Sequence, residues 1–149
     1  MVPHLTNQIR ATGKAMLAPG MTTDLWCLVA NALWGLGLVM VEISGKTKIA
    51  GFAWNYGNRD ETTPFPAWIK RTGKALANHK ENLPLFIIAV LVVHLAGKAD
   101  HTSALAAQIY VVARAVHALL FIGGVTVLRT LAWLAGFVSV LVVLSRLFV

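Results

Sequence analysis

Acidic side chains are scarce in this chain: 6 Asp or Glu among 149 residues, set against 13 Lys or Arg, for a formal charge of +7. Only 13% of residues are charged and 57% are hydrophobic, where soluble domains carry about 25% charged residues. That shortage excludes a disordered chain and most soluble enzymes of this size. Cysteine is nearly absent as well. The lone Cys27 lies in an apolar run, which excludes an intramolecular disulfide or a cysteine-based metal site. His79, His94, His101 and His117 lack the spacing of metal ligands. The in/out alternation of a membrane β-barrel is missing, as is any internal repeat. The length allows one domain.

What the chain does have is long apolar runs, at residues 25–43, 83–97, 104–125 and 127–149. A bilayer core about 30 Å thick takes ~20 helical residues. Three runs reach that length. The run at 83–97 falls short, so its helix must begin upstream, through His79, Lys80, Glu81 and Asn82. That start brings Asn78 and Glu81 to the membrane boundary or inside it. The expectation is an all-α integral membrane protein built as a bundle of four transmembrane helices. Residues 98–102 form a short link that makes the second and third helices antiparallel neighbours, and Gly123-Gly124 turns the third into the fourth. The first loop, residues 44–69, carries Gly57, Pro64 and Pro66 and reads as non-helical over much of its length. Residues 1–20 hold Arg10 and Lys14 but no apolar core of a signal peptide, and read as a flexible extension before a domain at 21–149. Met21 stands as a second candidate start.

Orientation follows from the basic residues. Lys46, Lys48, Arg59, Lys70, Arg71 and Lys74 cluster between the first two helices, and the positive-inside rule places that loop in the cytoplasm with both termini outside. Arg10 and Lys14 pull the other way but are fewer. This distribution accounts for the +7 charge without a nucleic-acid partner, because the basic residues sit at membrane edges.

Charged residues within a bilayer are expensive and mark function by default. On the second helix Arg71, Lys74, Asn78 and Glu81 follow one another at intervals of three and four and form one stripe. Tyr110, Arg114, His117 and Phe121 do the same on the third helix, and Arg129 opens the fourth. All lie in the cytoplasmic half, leaving the outer half nearly pure hydrocarbon. Arginine and lysine in a low dielectric attract carboxylates, Glu81 accepts from an ammonium group, and Asn78 both donates and accepts. Such a pocket suits a small zwitterion with excess negative charge, beside an apolar co-substrate from the lipid. The plainer alternative is that Glu81 and Arg114 pair only with each other and hold two helices together. Pro84 removes the hydrogen bond to the Lys80 carbonyl, and a kink is expected there. His94 reads as an interface residue, and Ala132 with Gly136 as a small-residue helix contact.

These motifs resemble a known family. Arg71-Thr-Gly-Lys74 followed by Asn78-His-Lys-Glu81-Asn82-Leu83-Pro84 is similar to the second-helix signature of the MAPEG proteins, membrane-associated proteins in eicosanoid and glutathione metabolism. Arg114-Ala-Val-His117 resembles their third-helix motif, and Gly57-Asn58-Arg59-Asp60-Glu61 the first loop of bacterial members. The resemblance spans about residues 21–149. It implies a homotrimer in a bacterial inner membrane, with glutathione as co-substrate between subunits at the cytoplasmic side. By the same resemblance Arg71, Lys74, Asn78, Glu81, Arg114 and His117 bind glutathione, and Arg129 is the catalytic residue that supports its thiolate. Lys74 stands where arginine is commoner. No metal is implied. The implied activity is a glutathione transferase or peroxidase of the microsomal transferase and prostaglandin E synthase kind, acting on lipophilic electrophiles. Phe121 and Trp133 fall where catalytic relatives carry tyrosines, and with Tyr110 are expected to line the pocket. That departure keeps a second reading open, a non-catalytic protein of the same fold that binds lipid or a protein partner.

Overall fold

A computed structural model describes residues 20–59 and 63–149. The proposed extension lies outside the described residues but for Gly20, and so do Asp60 and Glu61 of the first loop. Four helices follow in order: α1 (Thr23–Tyr56), α2 (Ala67–Leu95), α3 (His101–Gly123) and α4 (Val127–Ser145), the last closed by a short 3-10 turn at Arg146–Phe148. All four are long and apolar enough to cross a membrane. The protein is an all-α integral membrane protein.

The helix ends have local causes. Pro66 precedes α2, where its fixed φ suits a helix start and its missing N–H leaves no gap. Asp100 and Ser103 form a reciprocal capping box at the start of α3, with Ser103 N–H donating to Asp100 Oδ1 at 2.9 Å and Asp100 N–H donating to Ser103 Oγ at 2.9 Å. Gly124 ends α3 at φ 82°, and the Val125 N–H reaches back to the Leu120 carbonyl at 2.9 Å. That closure needs a left-handed residue, which glycine supplies without a Cβ clash.

One expectation about the backbone needs correction. The stretch from Ser44 to Tyr56, expected as loop, is helical and extends α1 to 34 residues. Its polar character misleads, because a helix leaving the membrane does not need apolar side chains. Lys46 pairs with Glu42 one turn back, and buried Gly45 seats Trp68 and Ile69 of α2, a Cβ there falling 2.8 Å from the Trp68 ring. Helix α2 runs through Pro84 as one helical span, whereas α1 is interrupted at Gly51, with φ 82° and ψ 167°. Beside the proline, the Asn82 amide donates to the Asn78 carbonyl at 2.8 Å.

The core has two parts. Toward the chain termini, Cys27, Phe86, Ala89, Val90, Val93, Ala106, Ala107, Tyr110 and Val143 pack together. The Phe86 and Tyr110 rings stack there at 3.9 Å between centroids. Toward the first loop, Leu38 meets Ala75, Leu76 and Ala118. The alanines let the helices approach closely, as in other membrane bundles. Large apolar side chains such as Leu33, Leu85, Ile88, Val112, Leu119 and Leu128 instead face outward, which suits lipid as the surrounding solvent. The terminal half is not the plain hydrocarbon expected, since Asp24, Asn31, Ser103 and Ser139 are buried within it. Local bonds absorb part of that polarity: Asn31 Nδ2 donates to the Cys27 carbonyl at 3.0 Å and Ser139 Oγ to the Ala135 carbonyl at 2.8 Å.

Candidate functional site

Helix periodicity assigns each stripe a face, and the antiparallel pairing of α2 and α3 sets the two faces at one depth. Among the described residues the join is one side-chain hydrogen bond. Arg114 Nη2 donates to Asn78 Oδ1 at 2.8 Å, with Arg114 only 2% exposed. The pairing of Arg114 with Glu81, weighed above, is therefore not what holds the helices. Glu81 lies three residues beyond Asn78, a step that falls about 60° short of a full helical turn, and this carries its carboxylate to the exposed side. Lys74 is exposed too. Neither makes a hydrogen bond or ion pair among the described residues.

The other cations are placed by the turn between α3 and α4. The Arg71 guanidinium lies on Gly124, so close that a Cβ there would fall 2.5 Å from Nη1. Arg129, one short helical turn into α4, sets its guanidinium over the Phe121 ring with Cζ 4.2 Å from the centroid. Phe121 in turn meets the His117 ring edge-on at 5.7 Å. His117, Phe121 and Arg129 thus form one layered group. The His117 ring is buried and its Nδ1 has no hydrogen-bond partner among the described residues.

Of the expected site residues, Asn78 and Arg114 are bonded, Arg71 sits at the adjacent turn, and Arg129 joins His117 through Phe121. Lys74 and Glu81 lie on the same helical stripe but face out of the subunit. Tyr110 is fully inside, stacked on Phe86, and Trp133, one turn beyond Arg129 on α4, stacks on Phe137 at 5.5 Å. Gly136 packs within the subunit against Arg114 and Tyr110, so this small residue serves packing inside one chain.

Two residues were missed. Asn82 continues the Asn78 stripe at a spacing of four, which was a usable signal. His79 is 2% exposed and faces α1, where a Cβ on Gly35 would fall 3.0 Å from its Nε2. It lies on the inner stripe of Ile69, Thr72, Leu76 and Phe86, and that apolar spacing was the clue to its burial.

Arg71, Lys74, Arg114 and Arg129 therefore stand near one end of the bundle with Glu81 as the acidic member of the set. An anion with a guanidinium beside its reactive atom is the natural guest, and a cationic neighbour stabilises a thiolate over its thiol. Comparison with known proteins gives one match: a family model described as MAPEG family covers residues 25–149. No curated protein and no solved structure matches the chain.

Proposed function

The chain belongs to the MAPEG family, and from that premise we propose that it is a membrane-embedded, glutathione-dependent transferase or peroxidase of lipophilic electrophiles. Its thiol co-substrate sits at the basic end of the bundle, between subunits of a homotrimer, and faces the cytoplasm of a bacterial-type cell. Arg129 supports the thiolate. Arg71, Lys74, Asn78, Glu81 and His117 hold the peptide, and Arg114 fixes the Asn78 amide.

The observation that carries this reading is the Asn78–Arg114 bond, which aligns the two polar stripes with the His117–Phe121–Arg129 layer. Exposed Lys74 and Glu81 support an assembled site. In a lone subunit these charges would face lipid, whereas a second copy packed on that face of α2 encloses them with a zwitterionic guest. Phe121 in place of a phenol means that thiolate support rests on the guanidinium alone. The same feature favours the second reading, a binding protein of this fold without turnover.

Glu81→Gln and Lys74→Met, both at exposed positions, test the clamp. Each is expected to weaken equilibrium binding of glutathione by about tenfold, the equivalent of ~1.4 kcal/mol, with thermal stability unchanged. Unaltered affinity in both variants would remove these residues from the site.

A further inference from the structure

We propose that Arg71 is the positioning residue of Arg129: seated on Gly124, its guanidinium caps the C-terminal end of α3 and fixes the turn from which Arg129 is aimed at the thiol. This role rests on the thiolate chemistry proposed above and stands beside the part Arg71 takes in holding the peptide. The turn itself is short and weakly closed. Only Gly124, Val125 and Thr126 separate α3 from α4. The Gly124 and Val125 N–H groups return to Leu120 and Phe121, whereas the Ile122 and Gly123 carbonyls accept no backbone hydrogen bond among the described residues. Thr126 makes no side-chain cap for α4, and the first turn of α4 has no acidic residue. The end of α3 is therefore a group of unpaired carbonyls, and the helix dipole makes it negative.

Arg71 meets that end from the first turns of α2. A Cβ on Gly124 would lie 2.5 Å from its Nη1, 2.8 Å from Cζ and 3.2 Å from Nη2, so the guanidinium as a whole lies on this residue. No carboxylate competes for it among the described residues. The ion pairs there are Lys46–Glu42 and Arg146–Asp100, and Glu42, which reaches α2 over Gly73, is the acid that Lys46 takes. A cation at a helix C-terminus is stabilising, and more so when partly buried. Arg71 is half-buried, which keeps its outer edge open to the guest.

Arg129 depends on the same turn. It stands in the first turn of α4, where the helix dipole disfavours a cation, and it makes no hydrogen bond or ion pair among the described residues. Its support is the Phe121 ring, 4.2 Å from Cζ and on the far side of the turn. A change in the angle between α3 and α4 carries the guanidinium off that ring, and off the sulfur with it. A misplacement of about 1 Å at a reacting centre can cost about a hundredfold in rate.

The test titrates the full chain with pH at saturating glutathione, where affinity no longer matters, and reads thiolate by ultraviolet difference absorption. Gly124→Asn keeps every charge and tolerates a left-handed backbone, but its Cβ displaces Arg71. It is expected to raise the thiolate midpoint by about one pH unit, a tenfold loss of thiol acidity. Arg71→Met raises the midpoint as well, and in that background Gly124→Asn adds nothing further. An unchanged midpoint in Gly124→Asn would overturn the proposal, as would an equal shift with and without Arg71. If Gly124→Asn does not fold, amide hydrogen exchange in Arg71→Met decides. Residues 119–130 are expected to exchange at least about tenfold faster while α2 stays as it is, and unchanged exchange at the turn would refute the cap. An absent thiolate signal in the parent chain refutes the proposed function instead, with the exchange comparison still deciding whether Arg71 holds the turn.

Discussion

Removing the Asn78 side chain isolates the bond on which the site is built. In Asn78→Ala the Arg114 guanidinium keeps its charge and its 2% exposure but loses its one hydrogen-bond acceptor among the described residues. Hydrogen bonds to charged groups contribute about 1.5–3 kcal/mol, and a buried donor left unmet costs its desolvation in full. Because Arg114 is almost wholly enclosed, no solvent screening reduces the effect, and a loss of about 2–3 kcal/mol is expected. Replacing both partners with apolar residues, Asn78→Leu with Arg114→Met, removes donor and acceptor together, which in buried settings is often close to neutral. The double variant is therefore expected to be more stable than Asn78→Leu alone, and the cycle of Asn78→Leu, Arg114→Met and their combination should give a coupling energy of at least about 1 kcal/mol. Equilibrium unfolding in mixed micelles, followed by the fluorescence of the 5 tryptophans, measures each corner of the cycle. If Asn78→Ala lies within about 0.5 kcal/mol of the parent chain, or the single changes simply add in the double variant, the bond does not do what is claimed for it.

Gly124→Ala places a Cβ on a left-handed residue and against the Arg71 guanidinium. It should cost about 1–2 kcal/mol in unfolding measurements and weaken glutathione binding about tenfold as Arg71 is displaced. Phe121→Tyr offers a phenol beneath Arg129 at unchanged ring packing, and steady-state assays with a chlorodinitrobenzene-type electrophile should show higher turnover with little change in stability. The Asp100 carboxyl is held below the usual carboxylate range, first by the Ser103 N–H that caps onto it and then by Arg146. A depressed folded value means that the cap stabilises fully above the unfolded pKa of ~3.9 and loses its effect as pH falls through the lower folded value. Acid titration of stability should show that loss in the parent chain and not in Asp100→Asn, which caps without titrating.

The membrane helices were legible because bilayer thickness converts directly into a count of apolar residues. The upstream start of α2 followed from the same arithmetic applied to a run that was too short. What hydropathy does not report is a helix continuing into water. Ser44 to Tyr56 therefore read as loop, although the Glu42–Lys46 spacing already marked a helical face. The site was legible as stripes, since a spacing of three and four fixes which side chains share a face. It was not legible as pairs. Whether Arg114 meets Asn78 or Glu81 depends on a rotation of about 60° between neighbouring positions and on how closely α2 and α3 approach, which the alanines between them decide. The turn at Gly123-Gly124 was visible as a breaker, but its use as a seat for Arg71 arises only when the first turns of α2 reach the end of α3. Burial of Asp24 was hidden for a simpler reason: a titratable residue at the head of a buried stripe breaks the apolar pattern that would have revealed it.

Thiolate formation tests the central claim most directly. Glutathione added to the purified protein at neutral pH should produce the ultraviolet difference absorption of a thiolate, because a guanidinium beside the sulfur lowers a thiol pKa from ~8.5 toward neutrality. The signal should vanish in Arg129→Ala, which keeps the helices and the Asn78–Arg114 bond. An absent signal in the parent chain, or an equal one in Arg129→Ala, would contradict the account.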